Sequence, residues 1–313
     1  MANFFKKFLV FLGLFFVFLL GLSCGFLIKK NYFSDLKESN GRINFLILGL
    51  RDFQTKDGDL TDTIIFLSLS SQRSSPVIIS LPRDLWVESL KAKINTAYHY
   101  GGTELMKKTV EEIIGQKIHY TVVVNFESFR QIVDALGGVT INVQRPFDDY
   151  RYPIAGKEND LCGGDKEFKC RYEHLHFDAG PQSMDGERAL KFVRSRNAEG
   201  EEGTDFARSQ RQQQLIFAIK QKVLSPKFYL NPGKVKTLVK IVQNNIITDI
   251  KPENYGSFFL LFAQTPWSRT KTIVLNENLL THPKNHYSKQ WVLLPKNGNW
   301  QEIQKFVQEL LSE

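Results

Sequence analysis

Arginine is the residue whose spacing carries most information in this chain. Between Leu190 and Gln213 it recurs at Arg194, Arg196, Arg208 and Arg211, with Asp205 and Gln212 set among them. A guanidinium fork binds phosphate oxygens two at a time, and a neighbouring carboxylate can hold the fork in place. If the piece ending at Arg196 is extended, Arg194 and Arg196 point to one side, because extended side chains repeat every two residues. If 205–223 is helical, Asp205, Arg208 and Gln212 share one face at i, i+3 and i+7. Together these groups suit a clamp on a pyrophosphate. The acidic stretch 199–202 offers a plainer use for the same arginines, surface ion pairs worth little each.

Three other pieces fit that chemistry. A strand candidate at 77–81 runs into Pro82-Arg83-Asp84, which sets a charged pair at a strand end, where α/β sheets bind ligands. Asp62, in Leu60-Thr61-Asp62-Thr63, precedes a second strand and could bring a hard divalent cation to a phosphate. Lys93 leads through Gly101-Gly102 to a helix starting near Thr103, whose N-terminus favours an anion. Each also has a structural use: Arg83 with Asp84 as an ion pair, Asp62 as a turn former, the glycines as a loop.

The elements that must position these residues can be read from periodicity. Apolar, β-branched runs at 43–48, 63–69, 77–81, 120–124 and 139–143 read as strands. Helical patterns follow at 103–114, 127–136, 185–193, 205–223 and 300–311. Their alternation implies an α/β fold with a central sheet, partly antiparallel, covered by helices. Residues 146–176 read as an insertion near the mouth of a site. The C-terminal part, 226–313, reads as an extension packed on the core, with a helix-like run at 258–262 and short strands at 272–275 and 291–294.

Composition limits the classes of function. With 313 residues, 42% hydrophobic and 24% charged, the chain can bury a core and is not a disordered tract. The net charge of +8 implies an anionic partner. The basic residues stand singly beside turn-like sequence, which favours a discrete phosphate pocket over nucleic acid. Nothing reads as a helix-turn-helix.

At the N-terminus, 8–28 is an uncharged apolar run long enough to cross a hydrocarbon core of about 30 Å as a helix. Residues 1–7 then lie on one side and a polar linker, 29–42, on the other. Lys6 and Lys7 before the run balance Lys29 and Lys30 after it, so the flanks do not fix orientation. A cleaved signal peptide or a lipoprotein site at Cys24 is the alternative, but the run continues beyond the length usual for such segments. Cys162 and Cys170 flank a short polar loop; an oxidising compartment would join them as a disulfide, and a reducing one would leave two thiols. No CxxC spacing accompanies them to suggest zinc.

In order along the chain, these landmarks resemble the LytR-CpsA-Psr family. They are residues 60–64, Ser80-Leu81-Pro82-Arg83-Asp84, Lys93-Ile94-Asn95, Asn125-Phe126, 134–139, Asp185-Gly186 with Ala189-Leu190, Arg194 with Arg196, and 205–213. The resemblance covers about 44–222 and implies an α/β/α sandwich with a central mixed sheet, preceded by one N-terminal transmembrane helix, with a catalytic domain at 43–225 outside the cytoplasm. It implies an enzyme, a phosphotransferase. It would move a phosphoglycan from a polyprenyl-pyrophosphate carrier to an envelope acceptor, with peptidoglycan the default acceptor and no nucleic-acid partner.

By the same resemblance, Arg83, Asp84, Arg194, Arg196, Asp205 and Arg208 form the catalytic set. Lys93, Arg211 and Gln212 bind substrate, and Asp62 is a ligand to Mg2+. Phe126, Phe129, Ile132 and Val133 would line a lipid groove, or else belong to the core. The family pattern has an aspartate soon after the first strand and an arginine two residues before Asp62. This chain has Gly49-Leu50-Arg51-Asp52 and Leu60 there, so Asp52 would take the missing ligand's place or water would fill it. Two other functions use the same groups: hydrolysis of a polyprenyl pyrophosphate, and binding of a lipid-linked glycan without catalysis.

Overall fold

The computed structural model describes residues 36–50 and 59–312. The expected anchor at 8–28 and the proposed ligand Asp52 lie outside the described residues, as does the side chain of Asp205. Among the described residues no helix is long and apolar enough to cross a membrane.

A six-stranded mixed sheet organises the fold. Its strands are β1 (Arg42–Leu50), β2 (Thr61–Ser70), β3 (Val77–Ser80), β6 (Tyr120–Asn125), β11 (Ile247–Thr248) and β12 (Lys271–Val274), in the order β11-β6-β1-β2-β3-β12, while β4 (Trp86–Val87) and β5 (Ala92–Lys93) pair with each other outside it. The pairs β1/β6 and β3/β12 are parallel; β1/β2, β2/β3 and β6/β11 are antiparallel.

Helices cover both faces of the sheet, which is why β1 and β2 read as nearly continuous apolar runs rather than alternating ones. On one face Leu46, Leu48, Ile64 and Phe66 pack against Met106, Val110 and Ile113 of α1 (Ala97–Ile114) and against the C-terminal helix Gln301–Ser312 through Ile303, Val307 and Leu311. On the other, Phe45, Ile65, Leu67 and Ile78 meet Phe258, Leu261 and Trp267.

A second core joins α2 (Phe126–Ala135), α3 (Gly186–Arg194) and α4 (Asp205–Val223) to two strand pairs. One pair is β7 (Val139–Val143) with β10 (Gly180–Met184); the other is β8 (Phe147–Pro153) with β9 (Tyr172–Phe177). The close approach of α2 and α3 requires Gly186, since a β-carbon there would lie 2.4 Å from the Arg130 carbonyl oxygen.

Several elements differ from their sequence reading. The strand expected at 139–143 is outside the main sheet, because its buried residues Val139, Ile141 and Val143 face the second core. Gly101 and Gly102 do not lead into a helix; they kink one, Gly102 at φ 60° taking a conformation that favours glycine. The strand expected at 291–294 shrinks to β14 (Leu294–Pro295), paired with β13 (Leu280–Thr281). The expected insertion 146–176 is the β8–β9 hairpin, its tip closed by a Cys162–Cys170 disulfide with Cα atoms 5.5 Å apart. Helices Pro226–Tyr229 and Pro232–Asn245 had no counterpart in the sequence reading.

Candidate functional site

A cavity of about 500 Å³ opens where β3 and β12 end and β2 begins. Asp62, Thr63, Ser80, Arg83 and Asp84 line one side of it, and α4 contributes Arg208 and Gln212. This is the end of the parallel β3/β12 pair at which open α/β sheets place ligands.

Local structure explains how each group arrives there. Arg83 and Asp84 sit just past the last residue of β3, where Leu81 N–H still bonds the Ile64 carbonyl at 2.9 Å and holds the turn to β2. The Arg83 guanidinium donates to Asp62, and its Nε lies 3.7 Å from Asp84 Oδ2. Lys93 Nζ in turn donates to Asp84 Oδ1 at 2.7 Å. The result is an alternating row, Asp62, Arg83, Asp84, Lys93, with side chains between 14% and 31% exposed. Lys93 does not line the cavity; it stands behind Asp84 and braces it.

From the helix side, Thr204 Oγ1 caps α4 by accepting from Ala207 N–H. Gln212 Nε2 donates 3.0 Å to Thr63 Oγ1, and Gln213 Nε2 donates 3.2 Å to Ser80 Oγ. A β-carbon on Gly49 would lie 2.9 Å from Thr63 Cβ, so glycine there leaves Thr63 the room from which it fixes Gln212. Arg208 is buried at 9% exposure and still reaches the cavity wall.

The other expected arginines are elsewhere. Arg194 ends α3 rather than an extended piece, so it does not share a strand face with Arg196. Its guanidinium lies 4.1 Å from the centre of the Phe126 ring and donates 3.0 Å to the Tyr152 hydroxyl. Burial pushes the Tyr152 phenol up to about 12, against the opposing pull of Arg194. Arg196 is exposed. Between them Asp149, fully buried, accepts from Ser195 Oγ at 2.7 Å and from Asn197 N–H at 3.3 Å, which pins the segment joining the two arginines. Neither Arg194 nor Arg196 lines the cavity.

Arg211 is a tie within the fold. Its guanidinium donates to the carbonyls of Phe192, Ser195 and Glu202 and to Glu202 Oε2. Burial pulls its pKa below the ordinary value. Of the four expected lipid-groove residues, Phe126 lies under Arg194, while Val133 and Phe129 belong to the second core and Ile132 is half-buried.

The sequence reading missed the far wall of the cavity, built from the C-terminal part: Asn276, Glu277, Leu280, His282, Trp291 and Lys296. The Trp291 ring stacks on His282 with centroids 5.0 Å apart and remains 52% exposed. It also missed Asp149 and Tyr152, for which no short-range pattern gave a signal.

For a divalent cation, the donor chemistry is hard oxygen. Asp62 and Asp84 offer it at the cavity, Asp62 engaging Arg83 through Oδ1. Among the described residues the only group of three or more potential metal ligands is Asp160 with Cys162 and Cys170, whose sulfurs are already bonded to each other. Asp62 thus fits a magnesium site of the kind that takes one or two protein carboxylates and fills the rest from water and substrate phosphate.

Fold and cavity together define an α/β protein with an arginine- and carboxylate-lined cavity at the strand ends. The LytR_cpsA_psr family model matches residues 27–308, and the chain belongs to that family. The polyisoprenyl-teichoic acid–peptidoglycan teichoic acid transferase TagU of Oceanobacillus iheyensis is 30% identical over 246 residues, covering 75% of this chain and 67% of that protein. Its namesake in Bacillus subtilis is 30% identical over 215 residues, covering 67% of this chain and 60% of its own length. The crystal structure of Bacillus subtilis TagV superposes with a TM-score of 0.65 at 23% identity, over 88% of this chain and 99% of that one.

Proposed function

We propose that the protein is an envelope phosphotransferase that moves a phosphoglycan from a polyprenyl-pyrophosphate carrier to a hydroxyl of peptidoglycan. The observation that carries this reading is the cavity itself, where Arg83 and Arg208 face the same space as Asp62 and Gln212 at the end of the sheet. The names of the TagU relatives, and the family, supply the substrate class.

The reaction attaches the acceptor oxygen to the glycan-proximal phosphorus and breaks that phosphorus's bond to the bridging oxygen, which leaves on polyprenyl phosphate. Arg83 and Arg208 offset charge on the phosphoryl oxygens in this transfer. Gln212, held by Thr63, orients the phosphate, while Asp62 and Lys93 keep Arg83 and Asp84 at fixed positions. Of the carboxylates lining the cavity, Asp84 and Asp62 stand beside Arg83 and are the candidates to take the acceptor's proton. Magnesium, held by Asp62 with water and substrate oxygens, would supply Lewis-acid polarisation of the phosphoryl group.

We further propose that 8–28 spans the membrane once and that the catalytic domain lies outside the cytoplasm. The Cys162–Cys170 disulfide supports an oxidising compartment for the domain. The test is to give the full chain a polyprenyl-pyrophosphate-linked teichoic acid precursor and peptidoglycan, with and without magnesium, and to follow the glycan. Glycan joined to peptidoglycan supports transfer. Free glycan phosphate would mean hydrolysis, and bound, unprocessed lipid would mean a binding protein.

A further inference from the structure

From 206 to 248 the chain contains no aspartate or glutamate, but it contains Lys220, Lys222, Lys227, Lys234, Lys236 and Lys240. Four of these gather on two successive helices beyond α4. Lys227 is on α5 (Pro226–Tyr229), and Lys234, Lys236 and Lys240 are on α6 (Pro232–Asn245). No residue of α6 is buried, so the helix lies on the outside of the domain. Among the described residues no carboxylate pairs with these four lysines. The nearest acids in sequence, Asp249 and Glu253, are taken by Lys107 and Lys251.

Apolar side chains stand out among these charges. Leu230, in the turn between α5 and α6, is 61% exposed. Phe259, on α7 (Tyr255–Gln264), is 38% exposed and meets the Tyr229 ring edge-on at 6.2 Å, which joins it to the same face. Leu230 and Phe259 thus add exposed apolar surface to the lysine-bearing helices. A soluble polyanion would engage the lysines and leave both apolar groups in water. A bilayer with anionic headgroups uses both at once, phosphates for the lysines and the acyl boundary for the apolar side chains.

We propose that the face formed by α5, Leu230, α6 and Phe259 docks on an anionic membrane surface. The proposal rests on charge and exposure and does not depend on the transfer reading. It has a consequence for the site, because α4 carries Gln212 about two turns from its start and runs toward this face at Val223, about 16 Å further at roughly 1.5 Å per residue. Docking therefore fixes how far the cavity stands from the lipid.

The test uses the full chain in nanodiscs of zwitterionic lipid or of mixed zwitterionic and anionic lipid, with amide hydrogen exchange read over 226–245. Expected is exchange several-fold slower on the anionic discs, returning to the zwitterionic rate at high salt. The triple variant Lys227→Glu, Lys236→Glu, Lys240→Glu, all at exposed positions, should lose the protection while β1 keeps its own. Leu230→Ser should weaken it without changing charge. Equal exchange on the two lipids would overturn the proposal. So would equal protection by soluble polyphosphate on zwitterionic discs with no effect of Leu230→Ser, which would mean a polyanion site instead.

Discussion

Arg194 and Tyr152 form a tight pair: the guanidinium at the end of α3 donates 3.0 Å to a phenol that is 4% exposed and comes from the β8–β9 hairpin. The hairpin thus holds a charge that the sequence reading assigned to the substrate. Tyr152→Phe keeps the ring and removes the acceptor. A hydrogen bond to a charged group contributes about 1.5–3 kcal/mol to stability, so the melting temperature should fall, while transfer keeps about the parent rate because Arg194 does not line the cavity. A tenfold or greater loss of kcat at unchanged stability would instead place Arg194 in the reaction.

Asp84 is bonded to Lys93 and faces Arg83, so Asp84→Asn leaves two cations without the anion between them. Arg83 then keeps only Asp62 of its two carboxylate neighbours and shifts at the cavity. Misplacing a reacting group's partner costs about a hundredfold in rate, and steady-state kinetics should show that loss chiefly in kcat. Lys93→Ala should produce a milder loss, since Lys93 acts through Asp84.

Arg211 should behave as a stability residue, in contrast to its expected role in binding. Arg211→Met leaves the carbonyls of Phe192 and Ser195 without this donor and leaves the Glu202 carboxylate with Arg145 alone. Breaking such a buried pair costs about 3–5 kcal/mol, which a denaturant midpoint will show. Any surviving folded protein should bind substrate normally.

The β8–β9 hairpin should respond to pH. His176 is held above its ordinary 6.5, chiefly by its bond to Asp148 and then by Asp178. Its contribution is complete below that value and is lost as pH rises through the raised one. Asp148 is held below 3.8, chiefly by His174 and then His176, so its contribution is present above 3.8 and is lost as pH falls through the lowered value. The hairpin should therefore be tightest between about pH 4 and 6.5 and loosen above that window. Amide exchange of β8 and β9, corrected for intrinsic rates, should show this, and His176→Asn should remove the change at the upper end.

Much of the frame was readable because it is local. The apolar runs of β1, β2, β3 and β6 and the helices holding Arg208 and Gln212 follow from periodicity, and Arg83 with Asp84 from their place after a strand. What escaped depends on contacts distant in sequence. Trp291 and His282 reach the cavity from more than two hundred residues beyond Asp62, through a segment with almost no regular structure. Asp149 sits in a strand whose pattern gives no hint that Ser195 and Asn197 will bury it. Arg194 and Arg196 do not share a face because a helix, not a strand, ends at Arg194, and rotation about a helix sends the two to different surroundings.

In the proposed reaction the pyrophosphate is held in the cavity between β3 and α4. The most direct measurement compares glycan transfer to peptidoglycan by the full chain with that of Arg83→Ala, Arg208→Ala and Arg145→Ala. Arg145 is an exposed arginine paired with Glu201 and Glu202 outside this cavity. The expected result is a loss of about a hundredfold or more for Arg83→Ala and Arg208→Ala, with Arg145→Ala near the parent rate. Parent rates in both cavity variants would contradict it and place the reaction elsewhere on the protein.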